Sequence, residues 1–393
     1  MSFDLDTSNP HFAKAAELRE IFARDAAARD RAGGKPVEQL ALLKASGLLN
    51  ILVPPDYGGA GERWSTALKI AREFAKVDGA LGHLYGYHFG SQHAALLRGT
   101  PEQAADIFRR TVTGNWFWGN TANSFSKSLF GRREGDGYIL DGYRPFTSGS
   151  HIADYLQIAW EDHETDVRSF AVIPATREGI QVENDWDGFG QRQTGSGRVT
   201  YRSVRVHDQE VLAYKPDGGR PYQTITPFLQ QSTLLNVFIG SAQGALLTAR
   251  DYTKETSRPW IHSGVEKHTD DPWVRRVYGE LYTRVKAATL LADEAAATLD
   301  WVWSRGRDLT AAERGEAAVV IAGANVHAGE VALEVTSRIF EVMGARSATI
   351  TNGYDRFWRN VRIHTLHNPA EYKTRNVGSW FLTGAHPEPS TFQ

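Results

Sequence analysis

An α+β fold in three consecutive parts is predicted from a change of sequence period along the chain. Helix-period segments fill residues 1–114 and 213–393. Residues 115–212 instead carry short β-branched and aromatic runs separated by Gly, Asp and Asn. Helix-start signatures at Thr100 and Thr310, one in each flanking part, support the same division. The expected architecture is an N-terminal helical domain, a central antiparallel β-domain and a C-terminal helical bundle.

Each element has a local reason. Residues 12–31 are rich in Ala, Glu, Arg and Leu, which favour helix, until Gly33-Gly34 breaks the run. Residues 37–49 place Leu40, Leu42, Leu43 and Leu48 at helical spacings, and Val53-Pro54-Pro55 ends that element. Thr100-Pro101-Glu102-Gln103 combines a capping Thr, Pro at the first helical position and Gln at the third. Gly135-Asp136-Gly137 before Tyr138-Ile139-Leu140 predicts a hairpin. Residues 155–160, 169–173 and 198–206 read as further strands. Thr310-Ala311-Ala312-Glu313 opens a helix expected to run to Gly344. Its small residues between 318 and 328 suit close helix packing.

Composition narrows the function classes. With 44 Lys+Arg against 46 Asp+Glu, the 393-residue chain lacks the basic surplus of a nucleic-acid binder. It has no Cys, which excludes disulfides, thiol nucleophiles and Cys-ligated metals. Residues 1–10 are polar and acidic, and no run approaches ~18 apolar residues. Neither a signal peptide nor a membrane span is expected, and a cytoplasmic protein is the default. Gly58-Gly59-Ala60-Gly61 has the wrong context for a phosphate loop and reads as a turn.

Histidines, arginines and aromatics carry the remaining signals. His83 and His88 lie five apart, off a common helix face. His364, His367 and Glu371 would form a metal face on a continuous helix. Asn368-Pro369-Ala370-Glu371 reads as a new helix start, however, so no metal is expected. The two histidines are then either satisfied within the structure or a proton-handling pair. Arg356, Arg359 and Arg362 recur every three residues, as on an ion-paired helix face. Arg258 and Arg346 sit where helices end, positions that suit a surface arginine or an anionic ligand. Aromatics cluster near small polar groups at residues 115–120, in Phe146-Thr147-Ser148-Gly149-Ser150 and at Trp186. They read as core packing, or as walls for a flat heterocycle with Asn120 and Ser148 on its polar edge.

The order of these segments resembles the acyl-CoA dehydrogenase fold, with a four-helix bundle as its C-terminal part. Leu52-Val53-Pro54-Pro55-Asp56-Tyr57-Gly58-Gly59 is similar to a turn of that fold. Gly190-Gln191-Arg192-Gln193-Thr194 followed by Val204-Arg205-Val206 is similar to one of its strand pairs. The sequence departs from the dehydrogenases where their chemistry lies. Trp118-Gly119-Asn120-Thr121-Ala122 replaces their flavin-strand motif, and Asn368 stands where many members carry a catalytic Glu. Residues 81–88, 115–120 and 354–362, with His364-Thr365-Leu366-His367, instead resemble the flavin-dependent monooxygenases built on this fold. The resemblance covers nearly the whole chain and is greatest to the branch that oxygenates dibenzothiophene.

That resemblance implies a two-component enzyme. Reduced FMN would come from a separate NAD(P)H-dependent flavin reductase. Dioxygen would be activated as a flavin C4a-hydroperoxide, and a small aromatic organosulfur or indole-like heterocycle would be oxygenated. Ser148, with Thr147 beside it, would bond flavin N5 or O4, and Asn120 the polar edge or the peroxide. His88 and His367 would orient and protonate the oxygen adduct, with His364 behind them. Phe146 and Trp186 would wall the ring, and Tyr87, Trp116 and Trp186 would line the substrate pocket. Arg258 and Arg346 would hold the phosphate, one from a neighbouring subunit of a homotetramer. Residues 121–129 would form a lid. The competing readings are an FAD-dependent acyl-CoA dehydrogenase or oxidase and a non-catalytic scaffold.

Overall fold

Helix formers dominate both ends of the chain, and the elements they build enclose one twisted sheet. The structure is a computed structural model that describes residues 3–123, 126–212 and 220–390. Helix α1 (Pro10–Ala23) starts at Asn9, whose side-chain oxygen accepts from the His11 and Phe12 N–H groups. Helix α2 (Ala26–Ala32) follows as a separate piece. The single helix predicted over 12–31 is thus two, because Asp25 leaves helical geometry at φ −128°. Its carboxylate takes the Arg29 guanidinium at 2.8 Å instead of capping. Helix α3 (Val37–Ser46) closes on Gly47, whose φ of 74° suits only a residue without Cβ. Then come α4 (Trp64–Ala75), α5 (Gly79–Arg98) and α6 (Pro101–Gly114). Asp78 caps α5, and the Thr100–Gln103 capping box opens α6 as predicted.

The central strands are β1 (Trp118–Thr121), β2 (Leu129–Glu134), β3 (Gly137–Arg144), β4 (Tyr155–Asp162), β5 (Arg168–Pro174), β6 (Ile180–Val182) and β7 (Val199–His207). β2 and β3 form the predicted hairpin. The sheet runs β1-β4-β2-β3-β7-β6, with β5 also on β4. It is mixed rather than antiparallel throughout, since β4 runs parallel to both β1 and β2. Such pairings need a crossover, which no local sequence pattern announces. Leu140, Leu156, Trp160, Tyr201 and Val204 fill a core of their own within this part.

The C-terminal part holds α7 (Thr226–Glu255), α8 (Pro272–Arg305), α9 (Ala311–Met343), α10 (Asp355–Thr365) and α11 (Ala370–Thr383). The Thr310–Glu313 capping box opens α9. By length and composition α9 could cross a membrane, but 61% of its most apolar window is buried inside the fold. α11 starts one residue later than predicted, because Pro369 rather than Asn368 is the cap and makes no side-chain bond. Both helical parts share one core, with Phe22 and Phe74 in the same cluster as Phe238 and Leu281. α4 and α7 touch backbone to backbone. A Cβ at Gly240 would lie 2.3 Å from the Arg72 carbonyl oxygen. The predicted arginine row lies on α10, where Arg359 pairs with Asp30 and with Asp355, the latter at 2.7 Å. Helix α5 packs against both α10 and β1, which brings these elements together around one region.

Candidate active site

The sheet side of this region is a loop of small hydroxyls after β3. Phe146 holds a left-handed φ of 56° and leaves its ring 64% exposed, an uncommon combination for a bulky residue. Thr147 is fully buried, and its hydroxyl lies 3.0 Å from both the Gly197 carbonyl and Ser150 Oγ. That hydroxyl serves the loop, so a ligand-facing role for Thr147 does not fit. Ser148 Oγ sits 2.8 Å from Ser196 Oγ, which sits 2.7 Å from Thr194 Oγ1. Asn120 on β1 ties to this loop by donating its N–H to the Ser148 carbonyl at 3.1 Å. Its Oδ1 accepts from the Ala122 N–H at 2.9 Å. Trp186 Nε1 donates to the Gln191 carbonyl at 2.9 Å, and the indole covers Gly188.

The helix side is a stack of rings, with His83 and Tyr87 buried and His364 partly exposed. His83 and Tyr87 on α5 lie 4.0 Å apart at 28°, and His364 on α10 stacks on His83 at 4.5 Å and 29°. Both His83 ring nitrogens, Tyr87 Oη and His364 Nδ1 are buried without a hydrogen-bond partner in the fold. Buried polar atoms are almost always paired, so four orphans in one stack mark a place built to receive a ligand. Burial, and then the neighbouring His367, pushes the His83 pKa down to about 3. Burial, then His83 and His367, holds His364 well below its usual value as well. Both imidazoles are therefore neutral near pH 7, with a donor and an acceptor nitrogen each. His367, in the turn after α10, is also lowered, by surrounding bulk and then by Lys373.

His88 differs from its expected role. Its Nδ1 accepts the Trp118 N–H at 3.1 Å, so Nε2 carries the proton and donates to the Leu49 carbonyl at 2.8 Å. It ties α5 to β1 and has no ring nitrogen left for a ligand. His83 is the histidine of α5 whose two ring nitrogens have no hydrogen-bond partner among the described residues. The sequence held one signal for this: His83 precedes Tyr87 by four, which places both on one helix face.

A cavity of about 250 Å³ opens beside the stack. Tyr87, Asn120, Gln157, Phe170, Gln230 and Thr233 are among its walls, and no Asp or Glu among the described residues is. Trp116 does not line it. Its indole stacks on Tyr155 at 3.7 Å, with the Arg110 guanidinium 5.3 Å from its ring centroid. Arg258 and Arg346 are exposed and form no ion pair among the described residues. A bond from Ser257 Oγ to the Met343 carbonyl, at 3.0 Å, brings their two loops to one end of the bundle. Of the segment 121–129, expected to be a lid, residues 124–125 lie outside the described residues, while Ala122 reaches the cavity wall. A stack of orphaned donors and acceptors beside a cavity that Asn120 lines suits a flat, polar-edged group.

Comparison with known proteins matches both ends of the chain to one family. "Acyl-CoA dehydrogenase, N-terminal domain" matches residues 13–115, and "Acyl-CoA dehydrogenase, C-terminal domain" matches residues 233–371. The dibenzothiophene monooxygenase of Mycolicibacterium goodii is 39% identical over 396 residues, covering 95% of this chain and 94% of that protein. A probable FMNH2-dependent monooxygenase of Pseudomonas putida, SfnC, is 36% identical over 384 residues, covering 98% and 97%. The complex of TdsC from Paenibacillus sp. A11-2 with FMN and indole superposes with a TM-score of 0.93. It is 35% identical, and the match covers 98% of this chain and 100% of that one.

Proposed function

The chain belongs to the acyl-CoA dehydrogenase family, in its branch of reduced-FMN-dependent monooxygenases, and from that premise we propose its reaction. It oxygenates an organosulfur compound or an indole-like heterocycle with reduced FMN and dioxygen. The reduced flavin comes from a separate NAD(P)H-dependent flavin reductase, and the working form is a homotetramer. The observation that carries the reading is the ring stack of His83, Tyr87 and His364, whose buried polar atoms have no partner in the fold.

Bound reduced FMN supplies the two electrons that let one atom of dioxygen enter the substrate while the other leaves as water. The chain's own residues set the conditions. Ser148 Oγ and the amide of Asn120 hold the polar edge of the flavin ring, with Phe146 and Trp186 against its faces. Arg258 and Arg346 take its phosphate, one of them from a neighbouring subunit. His83 and His364, kept neutral by burial, each hold a proton at one ring nitrogen and accept at the other. With Tyr87 Oη and His367 they can pass that proton without carrying charge into a dry site. Tyr87 and Phe170 supply apolar walls for the substrate, while Gln157 and Gln230 fix its polar end.

An acyl-CoA dehydrogenase needs a carboxylate to take an α-proton, and among the described residues none lines this cavity. The test is incubation with a flavin reductase, FMN, NADH and ¹⁸O₂ against dibenzothiophene, its sulfoxide, indole and small alkyl sulfides. One labelled oxygen per turnover in at least one product is expected. No label in any product, together with oxidation of an acyl-CoA, would overturn the reading.

A further inference from the structure

We propose that Thr194 and Ser196 are positioning residues that make the Ser148 hydroxyl an obligate hydrogen-bond acceptor, and thereby set the site's preference for reduced over oxidised FMN. The inference deepens the proposed function and rests on Ser148 facing the N5 edge of the flavin.

The argument is a count of protons. Thr194 Oγ1 lies 2.8 Å from the Gln191 carbonyl oxygen. A carbonyl has no proton to offer, so Thr194 is the donor of this pair and shares the oxygen with two N–H donors. Each hydroxyl has only one proton. Thr194 Oγ1 can then only accept from Ser196 at 2.7 Å, which spends the Ser196 proton. Ser196 Oγ can only accept from Ser148 at 2.8 Å, which spends the Ser148 proton. The last acceptor fixes the direction of the whole chain, and Ser148 meets its ligand with lone pairs alone.

That last acceptor is firmly held. The Gln191 carbonyl also receives Trp186 Nε1 at 2.9 Å and the Thr194 N–H at 3.1 Å. The Gln191 N–H donates to Asn360 Oδ1 at 2.6 Å, and its Nε2 donates to the Asn360 carbonyl at 3.2 Å. Gln191 keeps a left-handed φ of 53°, rare for a residue with a side chain, so this carbonyl is placed against a local cost. Thr194 and Ser196 are both buried.

Flavin N5 is the atom whose hydrogen-bond sense changes with redox state. Oxidised flavin presents a lone pair there, and reduced flavin presents N–H. An acceptor-only Ser148 pairs with the reduced form and opposes the oxidised one. For an enzyme that takes a reduced flavin from a partner and must release the oxidised flavin, this bias runs in the useful direction.

The test measures Kd for FMN, and anaerobically for FMNH2, on wild type, Thr194→Val, Ser196→Ala, Thr194→Ser and Ser148→Ala, together with the midpoint potential of bound FMN. Without its anchor, Ser148 can rotate to donate. Thr194→Val and Ser196→Ala should each lower the ratio of oxidised to reduced Kd by about 3- to 10-fold, chiefly by tightening oxidised FMN. The potential should rise less on binding, and Thr194→Ser should behave as wild type. If Thr194→Val does not fold, Ser196→Ala carries the same test. Equal changes in both affinities, or none, would overturn the relay if Ser148→Ala still alters the ratio. If Ser148→Ala leaves both affinities unchanged, the placement of Ser148 on the flavin fails, and the relay with it.

Discussion

His83 and His88 sit five residues apart on α5, both buried, both with pKa values pushed down to about 3 by burial. They differ in what faces their nitrogens. His88 meets two backbone groups and is saturated. His83 meets two aromatic faces and keeps both nitrogens unpartnered. Burial and a shifted pKa thus do not distinguish a structural histidine from a working one. Unspent hydrogen-bond capacity does.

Three perturbations, in falling order of effect, test that contrast. His83→Ala should lower oxygenated product per turnover of reduced FMN by ~10²–10⁴-fold, the usual worth of a positioned proton-handling group. Its urea unfolding midpoint should fall less than that of His88→Ala, because the change leaves a cavity but strands no hydrogen-bond partner. Retained product yield would erase the difference between the two residues. His88→Ala should do the opposite. It strands the Trp118 N–H and the Leu49 carbonyl in the core and should cost about 2–4 kcal/mol of stability. Turnover per folded molecule should remain, and a stable His88→Ala that has lost turnover would return His88 to the chemistry.

The third effect is one of pH. Burial pushes the His88 pKa in the folded chain down to about 3, from the ordinary imidazole value of 6.5. Between those values the unfolded chain binds a proton that the folded chain refuses. The stability this group confers is therefore complete above its unfolded pKa and is lost as pH falls toward the folded one. The slope is ~1.4 kcal/mol per pH unit for one such group. In His88→Gln that increment should vanish. The melting temperatures of wild type and variant should converge as pH drops from about 7 to about 4.5, and a constant gap would contradict the assignment.

The parts of the fold that were legible in the sequence are the local ones. Thr100 and Thr310 bond residues three positions on, and the β2–β3 hairpin closes over a two-residue turn. Each is written in a few consecutive letters. The parallel pairing of β4 with β1 and β2 was not legible, since it depends on where the chain returns after a long excursion. The split between α1 and α2 was missed because the choice of Asp25 between capping and pairing with Arg29 is a contest of side chains rather than of propensities. The site follows the same rule. Ser148, Asn120 and His364 lie in short motifs that the sequence presents directly, and their roles are proposed from the resemblance. His83 was passed over for His88 because the difference lies in Leu49 and Trp118, backbone groups brought in from other elements. Trp116 was misplaced for a related reason, since Tyr155 on another strand claims its ring.

Helix α10 carries Asn360 and His364 one turn apart. The first clamps Gln191 at the origin of the hydroxyl chain, and the second closes the ring stack. In mechanical terms α10 is a gauge block set between two jaws. A shift of the helix would alter the sheet-side grip and the histidine-side grip together. The Arg359 pairs with Asp30 and Asp355, remote from any reacting atom, are the fasteners that set α10.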